Sequence, residues 1–313
     1  MTRLVAEGFA VLALAAATAS AQPTPVFRAD LDLVNVTVTV RDGKGGLVAD
    51  LTADDFAVRE DGRPQKVEIF APAARPEERQ ELALNLGMLF DTSESMRKDL
   101  KLSQESAIRF LDAIPRARDL LLIFFDRDIR ISRYSSENQQ GIFGRILEAK
   151  GEGYTALYDA VAVYVSRIAE TPGRKVLVIF TDGDDTTSQV PPHEVQRLVR
   201  STEVTIYPVA FPGAHRPSST DALRARSFLV SLAEASGGRV FQPAASRELA
   251  GIYQSILDEL GTQYVLGYVS DNPKHDGKFH RITVELKRPG LKVRHRPGYE
   301  VPKDEPPKPA RKK

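Results

Sequence analysis

The sequence predicts an α/β protein: a doubly wound, mostly parallel sheet with helices on both faces, joined to a small β-sandwich formed from N- and C-terminal strands. Three observations carry this. Nearly continuous apolar runs recur at 82–90, 120–125, 176–180 and 204–209, as expected for strands buried on both faces. Amphipathic helical patterns lie between and after them, which is the alternation of a doubly wound sheet. At both chain ends the pattern changes to period two, the mark of half-buried strands.

The chain has 313 residues, enough for about two domains. Its 43 Lys+Arg against 42 Asp+Glu give a net charge of +1, without the basic excess of a nucleic-acid binder. It contains no cysteine, which excludes disulfides, thiolate metal sites, thiol nucleophiles and lipidated cysteines. A bound metal would need oxygen ligands or the five histidines.

Residues 1–21 read as a secretory signal: Arg3, a short apolar run from Phe9 to Ala17, then the small residues Ala19-Ser20-Ala21. No later stretch reaches the length of a membrane span. The expectation is an exported protein, periplasmic or extracellular, without stable membrane insertion.

Residues 22–80 form an N-terminal β region. Val36-Thr37-Val38-Thr39-Val40 alternates, Val67-Glu68-Ile69-Phe70 reads as a strand, and Asp42-Gly43 and Asp61-Gly62 favour tight turns. Residues 71–80 are Pro- and charge-rich, a linker. Residues 81–262 hold the α/β unit. One helix face collects Leu100, Ser103, Ala107, Phe110 and Leu111, and a second Leu157, Ala160, Val161, Val165 and Ile168. A third holds Leu223, Phe228, Leu232 and Ala235, and a fourth Leu249, Ile252, Tyr253, Ile256 and Leu260. Residues 263–300 return to strands, three by pattern: Tyr264–Tyr268, then alternations centred on Val284 and on Val293, with a turn at Asp276-Gly277. Residues 301–313 are a basic, Pro-rich tail. The two β regions are each too small to stand alone, so the α/β unit is expected as an insertion between them.

The chemistry falls at strand ends, where open α/β sheets bind ligands. The first buried run ends in Asp91-Thr92-Ser93-Glu94-Ser95, whose alternate oxygens can aim at one point. The third runs into Thr181-Asp182-Gly183-Asp184-Asp185. Between them, Gly151-Glu152-Gly153-Tyr154-Thr155-Ala156-Leu157 brings a threonine to a helix start, where Thr155 can cap the helix or lend its hydroxyl to a neighbour. Asp184 and Asp185 read as caps of the following segment. Asp126 and Asp128, among Arg127 and Arg130, read as a loop ion-pair cluster, and His275, His280 and His295 as a solvated strand face.

Asp91-x-Ser93-x-Ser95, Thr155 and Asp182, in that order, resemble the metal-ion-dependent adhesion site of von Willebrand factor type A domains. The resemblance spans about 180 residues. The segment 50–62 and Gly298-Tyr299 are similar to the exported bacterial subgroup called "VWFA-related". The resemblance implies that Ser93, Ser95 and Thr155 touch a metal while Asp91 and Asp182 act through bound waters. Hydroxyls with carboxylates are hard ligands that suit Mg²⁺, or Ca²⁺ and Mn²⁺. A protein partner would then complete the coordination with an acidic side chain. Enzyme signals are thin. No H-E-x-x-H or G-x-S-x-G motif occurs, and Ser93 stands where a carboxylate-nucleophile phosphohydrolase needs its second acid. The alternatives are a metal-dependent hydrolase or phosphatase and a metal-free structural module. One consequence is directly measurable: mass spectrometry of protein from its native host should find a mature N-terminus at Gln22, and an intact Met1 form in the cytoplasm would contradict export.

Overall fold

The run Leu84–Asp91 folds as strand β5, buried at every residue, and the rest of the α/β unit is arranged around it. The computed structural model describes residues 33–73, 84–113, 117–135, 141–213, 218–243, 246–271 and 277–301. The signal segment, most of the linker, His275, Asp276 and the basic tail beyond Val301 therefore lie outside the described residues.

β5 lies at the centre of a five-stranded sheet with β6 (Asp119–Phe125), β7 (Ile129–Ser135), β8 (Arg174–Thr181) and β9 (Val204–Ala210), in the order β7-β6-β5-β8-β9. The pairs β5/β6, β5/β8 and β8/β9 are parallel. Only the edge hairpin β6/β7 is antiparallel. A single parallel bridge, Val209 to Phe241, extends the far edge. Successive residues of β5 face opposite cores. Met88 and Phe90 pack with α1 (Leu100–Ala113), α2 (Ile142–Glu148) and α6 (Ser246–Thr262). Leu89 packs with α3 (Leu157–Ile168), α4 (Pro192–Arg200) and α5 (Thr220–Ser236). Gly87 is glycine because Tyr164 of α3 crosses the strand there: a Cβ would meet its ring at 2.1 Å.

The chain ends build two antiparallel four-stranded sheets. β1 (Leu33–Arg41), β4 (Ile69–Ala71), β10 (Tyr264–Val269) and β12 (Lys292–Arg294) run in the order β12-β1-β10-β4. β2 (Phe56–Glu60), β3 (Arg63–Gln65), β11 (Phe279–Leu286) and β13 (Gly298–Glu300) run β13-β11-β2-β3. Each sheet takes two strands from each end of the chain, and the central pairs β1/β10 and β2/β11 join the two ends. Val36, Val38 and Val40 share one core with Phe56, Val58, Tyr264, Leu266, Ile282 and Val284. The Asp61-Gly62 turn has both residues at positive φ, 49° and 81°, the conformation a two-residue hairpin loop requires.

Several sequence readings change. The C-terminal region supplies four strands where the pattern suggested three, because Gly298–Glu300 pairs with β11. Val67 and Glu68 precede β4. Leu223 lies 55% exposed on α5, although the periodicity assigned it to the core. His280 is buried, with Nδ1 2.9 Å from the Asp61 carboxylate, and Nε2 of half-buried His295 accepts from the Val284 amide. The strand face carrying them is covered, Tyr299 packing on His280. Among the described residues no helix is long and apolar enough to cross a membrane.

Since β10 lies between β1 and β4, deleting residues 263–313 should uncover the valines of β1 and cause aggregation, read by light scattering; a monodisperse truncated protein would contradict the shared sandwich.

Candidate metal centre

Asp91 ends β5 as a carboxylate with 0% exposure. Its Oδ1 accepts from the Ser93 amide at 2.9 Å and its Oδ2 from the Thr181 hydroxyl at 2.6 Å. Thr181 ends β8, so the two parallel strands are linked by side chains at their carboxyl ends. Burial raises the Asp91 pKa from 3.8 to about 7, and the nearby Asp182 charge adds to the rise. Hydrogen bonds from Ser93 and Thr181 oppose it without cancelling it.

After Asp91 the chain makes a 3-10 turn, Glu94–Lys98, before α1 begins. Ser93 occupies the cap position, yet its side chain makes no capping bond. Its Oγ lies 3.0 Å from Ser95 Oγ. These hydroxyls face each other.

The Thr155 loop is knit to this turn through the backbone: Glu94 N donates to Gly153 O at 3.0 Å, and Glu152 N to Thr92 O at 2.9 Å. Gly151 is needed there, since a Cβ would approach the Ser93 carbonyl at 3.2 Å. Thr155 does not cap α3. Ala156 takes the cap position, and Thr155 N donates to Thr186 Oγ1 at 2.9 Å. The amides of Thr186 and Thr187 return to Thr155 O. Thr155 thereby ties its own loop to the one following β8.

Asp182 stands in that third loop. Its Oδ1 accepts from the Asp184 amide at 3.1 Å, while its Oδ2 is buried with no hydrogen-bond partner. Gly213 packs on that oxygen: a Cβ would lie 2.5 Å from it. Gly183, at φ 89°, lets the loop pass against α5, where a Cβ would meet Leu229 at 2.9 Å. Beside Asp182 opens a cavity of about 260 Å³ lined by Phe211, Gly213, Ala225, Leu229 and Pro243.

Neighbouring residues take unexpected parts. Asp185 does cap its own following segment, its Oδ1 accepting from Ser188 N at 3.2 Å, and it also reaches the earlier helix, where its Oδ2 accepts from Tyr158 N of α3 at 2.9 Å. Asp126 pairs with Arg130 at 2.6 Å, as expected, and also accepts from the Thr92 hydroxyl at 3.0 Å, which places it one residue from the motif. Asp99, not weighed in the sequence, bonds Gly213 N at 3.1 Å. Its pKa is raised, chiefly by burial, with the Asp182 charge adding to it. No motif spacing signals Asp99 or Thr181, because each acts through a contact between segments distant in sequence.

The profile of the von Willebrand factor type A domain matches residues 85–255. The chain belongs to this family. Similar solved structures include von Willebrand factor type A from Catenulispora acidiphila, at 12% identity over 88% of this chain and 74% of that one, TM-score 0.48. An aerotolerance-related membrane protein from Bacteroides fragilis matches at 13% identity over 57% and 98%, TM-score 0.46. The conserved hypothetical protein BatB from Bacteroides thetaiotaomicron matches at 13% over 56% and 98%, TM-score 0.45. No curated protein matches the chain.

The donors fit a hard divalent cation: paired hydroxyls, a buried carboxylate carrying a repulsive neighbour, and a second carboxylate with one oxygen unpartnered. A different group, Glu60, Asp61 and His280 in the sandwich, also brings possible ligand atoms together. There Glu60 already accepts from Tyr268, Ser270 and Tyr299 hydroxyls at 2.8, 2.7 and 3.0 Å.

The Asp91 shift fixes the sign of a pH effect. With the folded pKa above 3.8, protonation favours the folded chain; this contribution is complete below 3.8 and is lost as pH rises through about 7. In EDTA, denaturation should show stability rising as pH falls from about 8 toward 5. Asp91→Asn should flatten that slope and raise the melting temperature at the alkaline end; an unchanged slope would place the titration elsewhere.

Proposed function

We propose that this chain is an exported, divalent-metal-dependent protein-binding module, not an enzyme. It would hold Mg²⁺, Ca²⁺ or Mn²⁺ with Ser93, Ser95, Thr155, Asp91 and Asp182. The observation that carries the reading is the electrostatic condition of the site. Two carboxylates from adjacent strands are brought together with Asp91 buried and Asp182 Oδ2 without a hydrogen bond, an arrangement that a cation relieves. A cation held there supplies an electrophilic centre that a partner's acidic side chain can approach.

The chain's own residues define what such a partner meets. Thr181 and the Ser93 amide hold Asp91 in one orientation. Tyr154, next to Thr155, is 64% exposed, a rigid aromatic contact of the kind that concentrates binding energy. The cavity beside Asp182, lined by Phe211, Leu229 and Pro243 together with Asp184 and Arg226, offers a mixed apolar and charged recess for a side chain next to the partner's acid. The Ala19-Ser20-Ala21 segment supports export. Ser93 at the position of a second catalytic acid argues against the hydrolase reading.

The test is thermal melting in Mg²⁺ against EDTA. A cation bound by converging loops favours the folded state by about 2.7 kcal/mol at a hundredfold excess over its Kd. Asp182→Ala should abolish that shift while leaving the metal-free protein at least as stable. Asp112→Ala, exposed on α1, should keep it. An equal shift in wild type and Asp182→Ala would move the ion elsewhere. Capture of a protein from the exported fraction in Mg²⁺ but not in EDTA would tie the metal to recognition.

A further inference from the structure

A second concentration of charge lies where the sandwich meets the α/β unit, on elements that contribute nothing to the metal centre. Glu259 of α6 has 0% exposure. Its Oε1 accepts from Tyr207 Oη at 2.8 Å and from the Arg294 guanidinium. Its Oε2 lies 3.2 Å from Arg41 Nη2 and 3.1 Å from Arg239 Nε. Three guanidiniums from β1, β12 and the segment after α5 thus share one carboxylate, an excess of two positive charges. A fourth, Arg174, is taken up by the Leu260 carbonyl at 2.7 Å and the Gln263 side chain.

The excess is held at a cost. Burial pushes Arg294 down to about 10, and the charges of Arg239 and Arg41 push the same way. Burial lowers Arg239 too, with Arg41 adding to it. Arg294 Nε is buried without a hydrogen-bond partner. These partly buried cations, in excess of their one counter-charge, attract an anion.

A place for one adjoins them. A cavity of about 420 Å³ is bounded by Arg41 and Arg294 and rimmed by Lys44 and Lys292. Asp42 is the only acid lining it among the described residues, and its Oδ1 is turned into its own loop, accepting from the Lys44 and Gly46 amides at 2.8 Å each. Four cations therefore surround a recess lined by a single carboxylate.

We propose that this recess binds a small multivalent oxyanion of the phosphate class, which balances the Glu259 cluster and fastens the sandwich to the α/β unit. Arg41 already donates from Nη1 to Gly45 O at 2.7 Å and from Nη2 to Glu259, and Arg294 Nη2 is shared by Glu259 and Thr39, so the anion is held by the remaining N–H groups and by charge, with the lysines adding point charge at the mouth. Arg41 and Arg294 belong to sandwich strands, while their shared partner Glu259 belongs to α6. An anion held by the two arginines therefore strengthens the junction and favours the folded state.

The test titrates the full chain with inorganic phosphate in EDTA, with chloride at matched ionic strength as the reference. Calorimetry should show saturable binding. At roughly tenfold excess over Kd the melting temperature should rise by about 2–4 °C. Lys44→Glu combined with Lys292→Glu changes two exposed rim residues and leaves the Glu259 contacts in place. It should melt at or above wild type without phosphate, since two glutamates relieve the excess positive charge, lose the phosphate shift and bind at least about tenfold more weakly. Absence of saturable binding to the wild-type chain, or equal binding by wild type and the double variant, would overturn the proposal.

Discussion

Burial of the Asp91 carboxylate is the constraint on which the candidate centre depends. β5 is apolar and covered on both faces, so its last side chain is withdrawn from water wherever the sheet forms. A carboxylate in that position requires donors, and the turn after it and the neighbouring strand supply them: the Ser93 amide and the hydroxyl of Thr181 at the end of β8. Asp182 then enters beside it and raises the electrostatic cost instead of lowering it. The loops hold this arrangement through main-chain bonds among Thr92, Glu94, Glu152, Gly153, Thr155, Thr186 and Thr187. Strain of this kind is typical of a site made for a ligand.

The second constraint is the two-ended sandwich. β1 pairs with β10 across more than two hundred residues of intervening sequence. The α/β unit must therefore leave and return at neighbouring points. The junction is polar. Arg296 donates to Thr202 O at 3.0 Å and to Asn35 O at 2.7 Å, Gln263 joins Thr39 to Tyr207, and Glu259 gathers its arginines. Such contacts fix orientation more than they add stability, because each desolvated charge offsets much of its own attraction.

The two charged regions are of opposite kind. At the carboxyl ends of β5 and β8, acids crowd together and favour a cation. At the junction, arginines outnumber their one glutamate and favour an anion. Both arise from strands and helices far apart in sequence, and both are rigidly framed, which suits recognition with little reorganisation.

The sequence by itself determined the fold class, because strands buried on two faces must be continuously apolar and those buried on one must alternate. It also marked Asp91, Ser93, Ser95, Thr155 and Asp182, since loops at the ends of parallel strands converge by topology. Tertiary structure decided what short-range pattern does not encode. β13 is a strand only because β11 offers it an edge, and Leu223 is exposed only because α5 turns that position away from the sheet. Asp185 reaches α3 as well as its own downstream segment, and Thr155 bridges loops instead of capping. Asp126 and Asp99 reach the centre through Thr92 and Gly213. The Glu259 cluster was invisible beforehand, because its arginines come from positions 41, 239 and 294 and meet only when the sandwich closes on α6. Local periodicity reports which face of an element is buried; which side chains meet across elements is set by the packing of the whole chain.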